Sequence, residues 1–140
     1  MHLTRADLPL GFSPPISFAE VDWSSVPEAP GVYAIYEGGE LLYIGMAGRE
    51  GRGSLRRRLK DHSSGQVVNM FAQYLFLARV QFTVAEPVTH PNKAKALCQR
   101  YIRERCFFSW RVLPSPDDAR ALENHLKQSL RPALNSPEAA

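Results

Sequence analysis

The sequence predicts an α+β domain in which a small central antiparallel sheet of about three strands is flanked by helices. Three observations lead there. Two short runs rich in β-branched and aromatic residues, Gly31 to Tyr36 and Leu41 to Gly45, flank Glu37-Gly38-Gly39-Glu40, the pattern of a β-hairpin. Ser115-Pro116 opens an amphipathic stretch that Arg131-Pro132 closes, with Asp118 three residues after the cap, which marks a helix near 117 to 130. Phe107 to Leu113, aromatic and β-branched, supplies a further strand. At 140 residues the chain has the size of one domain, able to bury roughly two-thirds of its unfolded surface.

The remaining elements follow in order. Residues 1 to 30 hold Pro9, Pro14, Pro15, Pro27 and Pro30 and read as an extended N-terminal extension packed on the domain, anchored by Phe12, Phe18 and Trp23. The domain proper runs from 31 to 135, and 136 to 140 form a short tail. A glycine-rich loop, Gly45 to Gly53, leads to Ser54, which caps a helix near 54 to 62. A helical insertion near 64 to 105 follows. Within it Gln66 to Phe82 is ambiguous, Leu77 to Val84 looks strand-like, and a firmer helix occupies about 93 to 105.

The hairpin carries a parity condition. A two-residue turn with regular pairing sets Glu37 against Glu40 and sends Tyr33 and Tyr43 to opposite faces of the sheet. An odd loop or a bulge brings them together, and a three-residue loop is expected.

Cys98 and Cys106, without a Cys-x-x-Cys pair, suggest reduced, partly buried helix residues and no zinc knuckle. No run is long and apolar enough to span a bilayer and the first residues lack the order of a secretory signal, so the expectation is a cytoplasmic protein without a membrane partner. The net charge is only +3, but Arg49, Arg52, Arg56, Arg57, Arg58 and Lys60 stand against Glu50 within twelve residues. Such a stripe fits a nucleic acid about as well as a solvated helix face.

Helical projection separates these cations. Leu55 and Leu59 define the apolar stripe of the helix from Ser54; Arg58 and His62 flank it, while Arg56, Arg57 and Lys60 point away. On the last helix Ala119, Leu122, Leu126 and Leu130 share a face with Glu123 at its edge. A carboxylate so placed calls for a positive partner, either a divalent cation or Arg58 across a cleft. His125 projects to the far side.

Gly31-Val32-Tyr33, Tyr43-Ile44-Gly45, Arg58 to His62, Leu122-Glu123-Asn124 and Pro132 to Asn135 occur in an order that resembles the motif series of the GIY-YIG nuclease family. The resemblance covers residues 31 to 135, with no motif between Ser63 and Arg111. It implies a metal-dependent endonuclease that hydrolyses DNA phosphodiester bonds, with RNA a second candidate substrate. Catalytic roles then fall on Tyr33, as base or water-orienting group, on Tyr43 beside it, on His62 in proton transfer, and on Asn135 in support. Arg58 offers a permanently charged fork for phosphate oxygens. Glu123 is the candidate ligand of one Mg²⁺ or Mn²⁺, a hard ion that keeps several waters and can use a single protein carboxylate. Arg49, Arg52, Arg56, Arg57 and Lys60 are candidate nucleic-acid contacts.

Two points complicate the resemblance. A tyrosine needs nearby cations to act as a base at neutral pH, and Met46 stands where some relatives carry lysine or serine. The rival expectation is a module that keeps the fold and binds nucleic acid, or a structural adaptor, without cutting.

Overall fold

The computed structural model describes residues 8–48, 53–66 and 69–135. Four strands, β1 (Ile16–Ser17), β2 (Gly31–Glu37), β3 (Glu40–Ala47) and β4 (Cys106–Val112), form one antiparallel sheet in the order β1, β4, β2, β3. Four helices accompany it: α1 (Leu55–Ser63), α2 (Met70–Ala78), α3 (Pro91–Arg105) and α4 (Pro116–Leu130). The chain is thus α+β, with one strand more than the sequence suggests. The extra strand is β1, two residues of the proline-rich lead-in that pair Ile16 with Phe108 and Ser17 with Phe107. Its existence is set by its partner, because nothing in so short a run announces a strand.

The sheet is covered on both sides. Tyr33, Ile35, Leu42, Tyr43 and Phe108 share one core with Leu55 and Leu59 of α1, Phe71 and Leu75 of α2, and Cys98 and Ile102 of α3. Phe18 and Trp23 close it from the lead-in, with Phe18 at 4.6 Å and Trp23 at 5.8 Å from Phe108 between ring centroids. On the opposite face Val32, Ala34, Tyr36, Leu41, Ile44 and Met46 meet Ala119 and Leu126 of α4. Phe12 packs at the margin of this second core.

The hairpin corrects the expected loop. Glu37 pairs with Glu40 across a two-residue turn in which Gly38 and Gly39 have φ of 56° and 98°. Positive φ at both central residues is the twist-matched turn that glycine pairs favour. The register then shifts between Ile35 and Tyr36, leaving Leu42 as an extra residue opposite β2. This bulge does what an odd loop would have done: Ile35 faces Tyr43 and Tyr33 faces Gly45, so both tyrosines lie on one face. The carbonyl of Leu42 accepts a hydrogen bond from Leu134 N at 2.8 Å.

The insertion holds the other corrections. The strand-like stretch Leu77 to Val84 is the end of α2 followed by a 3₁₀ turn, Val80–Thr83. Tertiary context overrides the β-branched residues here: Val80 is buried in the helical layer, and Arg79 beside it is tied to Glu37 at 3.0 Å and Glu40 at 2.7 Å. Cys98 is a buried helix residue as expected, but Cys106 opens β4, and burial pushes its thiol up to about 12. Among the described residues no helix is long and apolar enough to cross a membrane.

Candidate functional site

A cleft of about 580 Å³ opens along the β3 edge of the sheet, lined among others by Tyr33, Tyr43, Gly45, Arg58 and Glu123. Tyr33 and Tyr43 come from the face covered by α1, whereas Glu123 belongs to α4 on the opposite face. They meet because β3 is an edge strand, so the cleft reaches both layers. Gly45 sits opposite Tyr33 in the register, and a Cβ there would land on the phenol oxygen and Cζ of Tyr33. The glycine is required because the tyrosine ring lies across its backbone.

Tyr33 and His62 are entirely buried, and the Tyr33 hydroxyl stands 2.5 Å from His62 Nε2. The other imidazole nitrogen, Nδ1, is 2.7 Å from the side-chain amide nitrogen of Asn69. Tyr43 and Phe71 wall the imidazole, with centroids at 5.7 Å and 5.3 Å. Burial, followed by the charge of Arg58, holds the His62 pKa down at about 3, so the ring is neutral at ordinary pH. Burial likewise pushes the Tyr33 hydroxyl well above the ordinary tyrosine range; the neighbouring Tyr43 adds to this, and Arg58 offsets part of it. The expectation that cations would lower Tyr33 is thus met only in part, since desolvation is the larger effect.

Arg58 is half-buried and lines the cleft with Tyr33. Burial disfavours its charge, but Tyr33, Tyr43 and Asp61 more than offset that, and its pKa lies above the ordinary arginine value. Of the three consecutive arginines, Arg58 is the one whose charge bears on Tyr33. Arg57 is exposed and lines both this cleft and an adjoining groove, where Lys60 also lies. Arg56 is employed differently from the expected nucleic-acid contact. Its guanidinium bonds Val26 O at 2.8 Å and Ser24 O at 3.2 Å and pairs with Glu28 at 2.5 Å, stapling α1 to the lead-in. Arg49 and Arg52 lie outside the described residues.

Glu123 is 5% exposed, and the cation beside it is Lys127, one helical turn on, with Nζ at 3.3 Å. The positive partner demanded by its burial therefore comes from its own helix rather than from Arg58 across the cleft. Asn135 does not line the cleft. Its side-chain amide accepts from Ile44 N at 2.9 Å and donates to Ile44 O at 2.6 Å, a two-point strand mimic that occupies the outer edge of β3. Asn135 consequently supports the strand that carries Tyr43 and Gly45.

Two residues escape the sequence reading. Lys127 lines the cleft, and its spacing of four from Glu123 is the signal that was available. Asn69 sits before an apolar run as an N-cap residue does, but the ambiguity of that run hides it. The exposed His90 caps α3 through Nδ1, which accepts from Asn92 N at 3.1 Å.

The donor set can be tested against a hard divalent ion. Among the described residues no group of three or more His, Cys, Asp or Glu side chains converges. A soft, protein-caged metal has no site there, whereas an ion that keeps its waters needs little more than the Glu123 carboxylate. Lys127 holds one oxygen of that carboxylate at 3.3 Å through a side chain that is 34% exposed, and an ion would have to displace it. The residues fit a hydrated Mg²⁺ or Mn²⁺ on that condition.

Among solved structures, the chain is similar to the GIY-YIG N-terminal endonuclease domain of UvrC from Thermotoga maritima, crystallised with magnesium as its catalytic divalent cation. The two share 21% identity over 81% of this chain and 91% of that one, with a TM-score of 0.44. No family model and no curated protein matches the chain.

Proposed function

We propose that this chain is a metal-dependent nuclease that hydrolyses phosphodiester bonds of DNA at a single GIY-YIG-type site. The observation that carries the reading is the convergence of Tyr33, Tyr43, Arg58 and Glu123, from two strands and two helices, on one cleft. The order of the motifs in the sequence, which resembles that family, supports it independently of the geometry. Arg58 would bind a non-bridging phosphate oxygen and offset charge gathering on the phosphoryl group. The Tyr33 hydroxyl, held neutral by burial, would orient the attacking water rather than serve as a resident base. Glu123 would hold the divalent ion, which supplies positive charge to the phosphate when bound. Lys127, which lines the cleft, would on release from Glu123 meet the phosphate as the cation that Met46 does not provide. Arg57 and Lys60 would track the backbone along the adjoining groove.

One observation favours a second reading, a module that binds nucleic acid without cutting. The Lys127 ammonium already satisfies Glu123, so a divalent ion must compete for the carboxylate. Incubation with Mg²⁺ or Mn²⁺ and a panel of linear, nicked, flapped, branched and single-stranded DNA, with RNA included, separates the two. Cleavage that falls about 10²- to 10³-fold in Arg58→Ala and in Glu123→Gln, with folding intact, is expected for the nuclease. Salt-sensitive binding with every substrate left whole overturns it in favour of the module.

A further inference from the structure

Asn69 has a part in the site that its distance from the motifs conceals. Its Oδ1 caps α2, accepting from Phe71 N at 3.0 Å and from Ala72 N at 3.5 Å. That identifies the oxygen end of the amide, so the atom 2.7 Å from His62 Nδ1 is the NH₂ group and can only donate. A neutral imidazole whose Nδ1 accepts carries its hydrogen on Nε2. The Nε2–H then donates to the Tyr33 oxygen at 2.5 Å. The charge of Arg58 also bears on Tyr33. With His62 donating to its oxygen, the Tyr33 hydroxyl must turn its own hydrogen away from His62, and Tyr33 borders the cleft.

We infer that Asn69 is a positioning residue: by capping α2 it locks His62 in the Nε2–H tautomer, which makes Tyr33 an acceptor toward His62 and directs its hydroxyl hydrogen into the cleft. For its catalytic consequence this rests on the nuclease reading; the tautomer itself does not. Under this arrangement His62 does not accept a proton from Tyr33. It orients the phenol, whose hydrogen is offered to a phosphoryl oxygen or a water in the cleft. Full burial of His62 behind Tyr43 and Phe71 opposes the doubly protonated ring that would relax the constraint.

The substitution Asn69→Asp tests the lock without removing the cap. One carboxylate oxygen still accepts from Phe71 N, while the other faces Nδ1 as an acceptor and draws a proton onto it. In ¹⁵N-labelled full-length protein at neutral pH, long-range ¹H–¹⁵N spectra of the His62 ring, assigned with His62→Gln, are expected to show Nε2–H in the parent and Nδ1–H in Asn69→Asp. In the variant Tyr33 must donate toward His62, so kcat for DNA cleavage is expected to fall at least about tenfold with KM little changed. Nδ1–H in the parent, or an unchanged tautomer in the variant, overturns the inference. Cleavage at the parental rate despite a changed tautomer overturns the positioning role while leaving the nuclease standing. A parent that cuts nothing but shows the stated tautomer removes the nuclease reading alone. Should Asn69→Asp fail to fold, Asn69→Ser keeps a capping hydroxyl too short to reach His62; a mixed tautomer is then expected, and a pure Nε2–H ring would refute the lock.

Discussion

The ring of Tyr33 crosses the backbone of Gly45 on the neighbouring strand, so closely that a single added carbon at Gly45 would collide with the phenol. Gly45→Ala should force the fully buried Tyr33 out of its rotamer and cost about 1–3 kcal/mol of stability. Urea denaturation of Gly45→Ala in the parent and in a Tyr33→Ala background measures the coupling. The cost should shrink by about 1 kcal/mol or more once the ring is gone. Equal costs in both backgrounds would place the strain elsewhere.

Lys127 and Glu123 form an ion pair inside the cleft, and a divalent ion must displace the lysine. Lys127→Ala should therefore strengthen Mg²⁺ binding, seen as a larger rise in Tm at a given Mg²⁺ concentration. Glu123→Gln should abolish the rise. A Mg²⁺ response that survives Glu123→Gln would locate the ion away from this carboxylate.

Asn135 bonds both backbone groups of Ile44 and lies outside the cleft lining. Asn135→Ala leaves a strand-edge donor and acceptor without their partner and should lower stability by about 1–3 kcal/mol. Cleavage by the protein that remains folded should keep nearly the parental kcat and KM. A large fall in kcat at unchanged Tm would return Asn135 to the reacting groups.

His62 gives the protein an acid-side liability. Its folded pKa, about 3, lies below the ordinary 6.5, so between those values the unfolded chain binds a proton that the folded one refuses. The contribution of neutral His62 is fully present above pH 6.5 and is lost as pH falls from there toward 3. The slope approaches about 1.4 kcal/mol per pH unit within the window. His62→Gln should flatten the fall in denaturation midpoint between pH 6.5 and 4.5, whatever it does to stability at pH 7. An equally steep fall in the variant would assign the acid sensitivity to other groups.

Much of the frame was legible in the sequence because it is encoded locally. Ser54 and Ser115 cap α1 and α4 as their positions announce, accepting from Arg57 N and Asp118 N at 3.2 Å in each case. The alternation around Gly38-Gly39 marks the hairpin, and the apolar stripe of α1 announces the buried Leu55 and Leu59.

What only the tertiary structure decided depends on partners distant in the chain. The β2–β3 register looked like a matter of loop length, but it turns on a bulge at Leu42 whose carbonyl is met by Leu134. β1 exists because β4 offers it an edge, and the segment after α2 stays out of the sheet because Val80 and Arg79 are engaged elsewhere. By itself the sequence determined which side chains lie on the faces of their own helices and strands, because those faces follow from a period of 3.6 or 2. Hydrogen-bond direction and charge pairing across elements, such as Asn69 to His62 to Tyr33, have no local period and arise only when the layers close.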